Sequence, residues 1–384
     1  MSTHGTPDGL VLSPSGAARW TQCPASAILS RGLPDSPSVF AEAGTAGHAL
    51  ASALWEDRTA DAVRVLEEFD RHPQWPASGL ETLAAVHRWM TAVQELCPGD
   101  GRWVEQHSEL PLSGDYFWPG FHGTADFAGV FEHSGGRTHV VSDLKLGKGV
   151  PVAAEGNLQL AVYAHMWLHD LGAGPDSELI LQIGQTLRAG GVSQWRLTAG
   201  ELDGFIAAYV RPALDELAWL VDRGRAYGKP GPWCRFCPAK ADCCALADEA
   251  LRLSGEAPGV MTSRQLGEAL DRLPEVKAWV AGVEDAARDR IASGGGVNGW
   301  VLKPGTTRRV VVDEAAAVER LLEHGCSRDE IGVFRLKSLK DLTKAVGDGN
   351  IDDVLGASVE VRQNKARLVK ETDRVTELFR KDDN

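Results

Sequence analysis

Hydrophobic and polar positions along the chain change their period several times, and each change predicts an element. A short helical entry is expected around residues 15–30, followed by helices around 45–70 and 79–97. Continuous or alternating apolar runs then predict strands near 103–110, 123–132, 138–145, 178–186 and 193–197. Helices are predicted near 155–170, near 199–225 and over 263–292. The run Ser293-Gly294-Gly295-Gly296 reads as a linker. Beyond it, Gly299–Leu302 and Arg309–Val312 read as strands, Asp313 as the cap of a helix ending near Gly325, and Ser338 as the cap of another ending near Gly347. The expected class is α/β. Three parts are expected: a main domain over 1–250, a helical connector and Gly-rich linker over 251–295, and a small α/β accessory domain over 296–384.

Two short strings in neighbouring strands carry the strongest chemical signal. Gly123-Thr124-Ala125-Asp126 opens the apolar run Phe127-Ala128-Gly129-Val130-Phe131, and Asp143-Leu144-Lys145 closes the run from Thr138. A strand places Asp143 and Lys145 on one face, with Leu144 turned into the core and its carbonyl available to a metal. A hard cation such as Mg2+ or Mn2+ takes oxygen ligands, and two carboxylates, a carbonyl and water supply them. Lys145 would orient an attacking water or stabilise charge on a phosphate. Taken alone, Asp-x-Lys reads as a surface ion pair at a strand end, because three-residue patterns recur by chance.

The following helix adds Glu155, Gln159 and Tyr163 at steps of four, one polar stripe beside apolar Leu158, Leu160, Val162 and Met166. Upstream, Thr45 is a candidate N-cap for a helix through Ala49, Leu50, Ala53, Leu54 and Trp55, which places His48 in its first turn. A neutral imidazole there can coordinate a metal.

In this order (His48, Gly123 with Asp126, Asp143 with Lys145, Gln159 with Tyr163) the chain resembles the RecB-type branch of the PD-(D/E)XK nuclease superfamily. The resemblance implies a restriction-endonuclease-like mixed sheet flanked by helices. It also implies metal ligation by His48, Asp126, Asp143 and the Leu144 carbonyl, catalytic roles for Asp126, Asp143 and Lys145, and substrate binding by Gln159 and Tyr163.

Four of the seven cysteines crowd into Cys234-Arg235-Phe236-Cys237-Pro238-Ala239-Lys240-Ala241-Asp242-Cys243-Cys244. No signal peptide and no apolar run of membrane-spanning length is seen, so a cytoplasmic setting is expected, and there such a cluster reads as metal ligation rather than disulfides. Zinc usually takes two C-x-x-C pairs, and one is present; an iron–sulfur cubane accepts three close thiolates and one distant one. The triplet Cys234, Cys237 and Cys243 is similar to that of iron–sulfur nucleases of this group, the AddB-type helicase–nucleases and the CRISPR-adaptation exonucleases. Their remote fourth ligand corresponds to Cys23. A 4Fe–4S cluster on Cys23, Cys234, Cys237 and Cys243 would close a loop of roughly 210 residues; structural Zn2+ is the alternative. Cys244 is an extra thiol that can replace Cys243, while Cys97 and Cys326 read as ordinary small side chains.

A net charge of −13 argues against a protein that coats DNA nonspecifically. It does not exclude a nuclease, whose metal offsets local carboxylates and whose groove needs local cations. The stretch from Lys303 to Lys370 is slightly basic, with Lys337, Lys340 and Lys344 at helical spacing. The opening Leu12-Ser13-Pro14-Ser15 with Trp20 and Cys23, the Gly44-Thr45-Ala46-Gly47-His48 string and the tail from Gly299-Trp300 extend the likeness to phage and prophage RecB-like exonucleases. That resemblance implies DNA end processing or recombination in a bacterial host cytoplasm, with DNA and a phage single-strand annealing protein as partners. A noncatalytic DNA-binding scaffold of the same fold is the rival expectation.

Overall fold

Five strands form one mixed sheet in sequence order, and the helices around them follow from how the strands must be joined. The computed structural model describes residues 10–303 apart from 34–38, 73–74, 150, 189–190 and 256. Short helices α1 (Ala17–Trp20) and α2 (Ala25–Leu29) precede α3 (Val39–Trp55), α4 (Thr59–Arg71) and α5 (Gly79–Gln94). Strands β1 (Arg102–Ser113), β2 (His122–His133) and β3 (Gly136–Leu144) then run antiparallel to one another. Gly136 takes φ +128° at the β2–β3 turn, a conformation that favours glycine. β4 (Glu178–Gly184) pairs parallel with β3, so the chain needs a crossover, and α6 (Leu158–Leu171) supplies it. β5 (Val192–Thr198) closes the sheet antiparallel to β4 and is followed by α7 (Ala199–Tyr209), α8 (Arg211–Asp222), α9 (Cys244–Ser254) and α10 (Ser263–Ala292).

Both faces of the sheet are covered, which is why β3 and β4 read as continuous apolar runs. Val141, Leu179, Leu181 and Ile183 pack with Leu160, Met166, Leu202 and Ile206 from α6 and α7. The alternate residues Val140, Leu144 and Ile180 pack with Leu50, Val86, Trp89 and Val93 from α3 and α5. Asp143 has the parity of Val141 and so belongs to the α6 face. A buried polar chain fixes the second layer: Trp89 Nε1 donates to Ser142 Oγ at 2.8 Å, Ser142 to Gln182 Oε1 at 2.9 Å, and Gln182 to the Ala92 carbonyl at 3.2 Å. Every member has a partner, so these polar groups specify the docking of α5 without a desolvation penalty left open.

The elements follow the sequence reading closely, with several differences; the helix expected near 199–225 divides into α7 and α8, and α9 has no counterpart in that reading. The helical stretch expected over 45–70 begins at Val39 and breaks between Trp55 and Thr59, where Asp57 adopts φ +55°. Thr45 is therefore no N-cap: it lies inside α3 and its hydroxyl donates back to the Ala41 carbonyl at 3.1 Å. Glu155 lies ahead of α6, exposed, because Asn157 is the cap and accepts from the Leu160 amide. Gly299–Leu302 is not a strand; Gly299 turns at φ +79° and Trp300 bridges back to Val297. The chain divides into two units, Met1–Val312 and Asp313–Asn384. The second, with Cys326, the helices expected from Asp313 and Ser338 and the lysines at helical spacing, lies outside the described residues, as does the strand expected at Arg309–Val312. Among the described residues, no helix is long and apolar enough to cross a membrane.

Candidate functional site

Strand register lays three carboxylates in a row. The β2–β3 pairing of Phe127 with Ser142 sets Asp126 across from Asp143 one step on. The β1–β2 pairs Ser108–Phe127 and Leu110–Ala125 bracket Glu109 and set it across from Asp126. Side chains directly opposite on antiparallel strands point to the same face. Glu109 adopts φ +50°, a rare conformation for a residue with a Cβ, so its side chain leaves the regular pleat at this level. His48 approaches the row from α3, its Nδ1 at 3.2 Å from Asp126 Oδ1 and 4.0 Å from Glu109 Oε1. The approach depends on Gly47, where a Cβ would collide with Leu146 just past β3.

Asp126 and Asp143 are fixed differently. Asp126 Oδ2 accepts the Leu144 amide at 2.7 Å, which orients the carboxylate and leaves Oδ1 toward His48. Asp143 is buried; Lys145 Nζ donates to its Oδ1 at 3.1 Å and stands 2.9 Å from Oδ2. Oδ2 has that ion-pair contact but no aligned donor, so it is a buried oxygen without a hydrogen bond. Lys145 Nζ also donates to Gln159 Oε1 at 3.1 Å, and Gln159 in turn hydrogen-bonds the Tyr163 hydroxyl. Tyr163 is buried beside Gly123, where a Cβ would sit 2.9 Å from the tyrosine ring and 2.8 Å from Pro14. The glycine of the Gly-x-x-Asp string is thus required by close packing.

The electrostatics follow from crowding. Burial, then the neighbouring Asp126, pushes the Glu109 carboxyl up to about 7. Burial pushes Asp143 up to about 6, with Asp126 adding to it and Lys145 opposing. Burial works against charge on His48, but Asp126, Asp143 and Glu109 outweigh it and raise the imidazole above its usual range. Burial raises Tyr163 strongly, so its phenol stays neutral. Three carboxylates facing one lysine and one imidazole are short of positive charge, and a divalent cation is the group that supplies it. The donor set fits a hard divalent ion: carboxylate oxygens, one imidazole nitrogen, and an unsatisfied buried oxygen.

The structure brings together every residue the sequence nominated for this site except Glu155. It adds Glu109, which sequence reasoning missed. Among the described residues, the group whose ligand atoms lie within 4.8 Å of one another is His48, Glu109 and Asp126; Asp143, turned to Lys145, is not in it.

The cysteines meet at a second place. Cys23, Cys234, Cys237 and Cys243 line one nearly enclosed hollow with Gly228, Trp233 and Leu246. Cys23, Cys234 and Cys237 are buried. The Lys229 amide donates to Cys23 Sγ at 3.2 Å, across 206 residues of sequence, and the Gly231 amide to Cys234 Sγ at 3.4 Å. A Cβ at Gly228 would lie 3.1 Å from Cys243 Sγ and 3.7 Å from Cys23 Sγ. Burial pushes the Cys234 thiol up to about 11, and raises Cys23 and Cys243 as well. Cys244 is exposed at the start of α9 and lines no part of this hollow. Four converging sulfurs, amide donors and a missing Cβ suit a bound metal group. Tetrahedral zinc holds its thiolates about 3.8 Å apart. No three of these sulfurs fall within 4.8 Å of one another.

Residues 10–376 match the family described as "Protein of unknown function (DUF2800)", and the chain belongs to that family. A solved structure titled "Crystal structure of SSO0001" matches at 11% identity over 63% of this chain and 90% of its own, with a TM-score of 0.26. A likeness of that strength carries no argument about the fold.

Proposed function

We propose that this member of the DUF2800 family is a metal-dependent deoxyribonuclease of the RecB-like PD-(D/E)XK type, acting as an exonuclease. The observation that carries the reading is the row Glu109–Asp126–Asp143 with His48 at one end and Lys145 at the other. His48, Glu109, Asp126 and Asp143 would hold Mg2+ or Mn2+, the imidazole favouring Mn2+ over Mg2+. When bound, the ion would polarise a phosphodiester and lower the pKa of a water. Lys145, held by Gln159, places an ammonium where it can orient that water and stabilise charge on the phosphate. Tyr163 fixes Gln159 from behind, so its contribution runs through Lys145 rather than through an exposed stacking surface. The cysteine hollow would hold a 4Fe–4S cluster as a structural cross-link between Cys23 and the turn region before α9, with zinc as the alternative.

Digestion of end-labelled linear DNA and of circular DNA with Mg2+ or Mn2+ tests the reading. The wild-type protein is expected to shorten linear DNA from its ends and to spare circles. Asp143→Asn and Lys145→Ala should each cut the rate on the order of 10³-fold while keeping the wild-type circular dichroism spectrum. A wild-type protein inert with both metals, or a variant with full activity, would overturn it.

A further inference from the structure

A second cavity, of about 320 Å3, lies on the N-terminal segment and is lined by Ser13, Arg19, Trp20, Ser30, Arg31 and, from the cysteine turns, Pro238, among others. Its charge sets it apart. Residues 10–33 contain two arginines and no acidic residue, in a chain of net charge −13. Many of the other described basic side chains meet a carboxylate, as in Arg58–Asp61, Arg102–Glu132, Lys229–Glu216 and Arg272–Glu249. Arg19 instead donates to the Ser30 hydroxyl at 3.1 Å, which holds its guanidinium without neutralising it. Arg31 is exposed and its guanidinium has no hydrogen bond or ion pair among the described residues.

The cavity is joined to the carboxylate row by direct packing. Ser13 precedes Pro14, and Pro14 is the residue against which Gly123 and Tyr163 close. The Ser13 carbonyl accepts Trp20 Nε1 at 2.9 Å, and Trp20 packs edge-on to Phe121, two residues before Gly123. Gly123 stands three residues before Asp126 on β2, roughly 10 Å at the rise of a strand, so the Ser13 side of the cavity lies near the carboxylate row. Two unneutralised guanidiniums with hydroxyls beside them are the chemistry that takes phosphate oxygens.

We propose that this cavity is the track for the single-stranded DNA backbone beyond the scissile phosphate, with Arg19 and Arg31 as its phosphate contacts. The proposal rests on the deoxyribonuclease reading for the direction of the strand. Its test is fluorescence anisotropy of the full chain with a fluorescein-labelled oligothymidylate in Ca2+ over a range of salt, beside the Mn2+ cleavage assay. Arg31→Glu should weaken binding roughly tenfold and reduce the slope of log affinity against log salt by about 0.7, the loss of one phosphate contact on a single strand. Arg31→Lys should restore most of the affinity. Arg264→Glu, on the exposed side of α10, makes the same change in net charge and should leave affinity and slope unchanged. Wild-type binding by Arg31→Glu, or equal weakening by Arg264→Glu, overturns the track. If the wild type cleaves and Arg31→Glu binds normally, the track fails and the nuclease reading stands. If the wild type never cleaves but the Arg31 effect persists, the nuclease reading fails, and with it the direction of the strand, while the cavity stands as a site for the single-stranded DNA backbone.

Discussion

Asp126 and Asp143 face each other from adjacent strands in the middle of a five-stranded sheet, each with a named donor on its carboxylate. Cys234 sits instead in the 3-10 turn Pro232–Phe236 and Cys237 between that turn and the next, Pro238–Ala241, with Cys243 just before α9 and Cys23 brought from the other end of the described fold. The first site is positioned by ladder hydrogen bonds and a core on both faces, so its geometry is expected to survive the loss of any one charged group. The second is held by few regular hydrogen bonds, and burial opposes ionisation of Cys23, Cys234 and Cys243. A site on a sheet can be tuned residue by residue, whereas a site on turns stands or falls with the group that cross-links it.

The largest effect should come from breaking the cross-link. Cys23→Ala is expected to remove iron from anaerobically purified protein and to lower the melting temperature on the order of 10 °C. A closure across this length of chain contributes on the order of 5 kcal/mol in the chain-entropy account of cross-links. Cys244→Ala should change neither. A colourless anaerobic protein with stoichiometric zinc and no iron would replace the cluster with zinc while keeping the contrast. A Cys23→Ala protein with full metal content and wild-type melting would remove the contrast altogether.

A smaller effect should appear at the carboxylates as pH changes. Glu109 titrates near 7 and Asp143 near 6 in the fold, against about 4 for unfolded carboxyls. The folded state therefore binds more protons than the unfolded chain between those values, and stability drains away as pH rises through that window. On the proposed reading a divalent ion would bind the ionised carboxylates, and His48 would have to be neutral to join them. Stabilisation by Mn2+ should thus be slight at pH 5.5, grow through pH 6–7 and level off near pH 8. At a hundredfold excess over its dissociation constant it is worth about 2.7 kcal/mol, or roughly 5–10 °C. Glu109→Gln should remove the upper part of that rise in differential scanning fluorimetry. A Mn2+ shift independent of pH would mean the ion binds elsewhere.

The two sites also differed in how much of them was legible before the fold was known. Asp126, Asp143 and Lys145 were legible because each sits in a short string at a strand boundary, and His48, Gln159 and Tyr163 because they follow in a familiar order. Glu109 was not. It lies in Ser108-Glu109-Leu110-Pro111 with nothing to separate it from Glu105, and only the β1–β2 register puts it across from Asp126. Register depends on pairing across the sheet, which local periodicity does not contain. Thr45 misled for a local reason, since a threonine after glycine looks like a helix start, yet Ala41, Ala43 and Ala46 carry the helix through it. Glu155 misled because spacing by four was extended past Asn157, the stronger cap. The gathering of Cys23 with the later cysteines was expected from resemblance alone, and the structure brings the four to one hollow.

The finest test separates positioning from contact within the sheet site. Tyr163 was expected to bind substrate, but it is buried and its hydroxyl reaches Gln159, whose Oε1 accepts from Lys145. Tyr163→Ala would open a cavity beside Gly123 and Pro14 and confuse packing with chemistry. Tyr163→Phe removes one hydroxyl and keeps the ring, so it isolates the link to Lys145. The expected result is a fall in kcat of about three- to tenfold, the worth of one hydrogen bond, with KM for DNA and Mn2+ affinity unchanged. Gln159→Glu would strengthen the hold on Lys145 and should move the pH profile of cleavage, which a purely structural residue would not do. A Tyr163→Phe protein with raised KM and wild-type kcat would instead place the hydroxyl on the DNA, and the sheet site would then depend on substrate to complete it, much as the proposed cluster would complete the cysteine hollow.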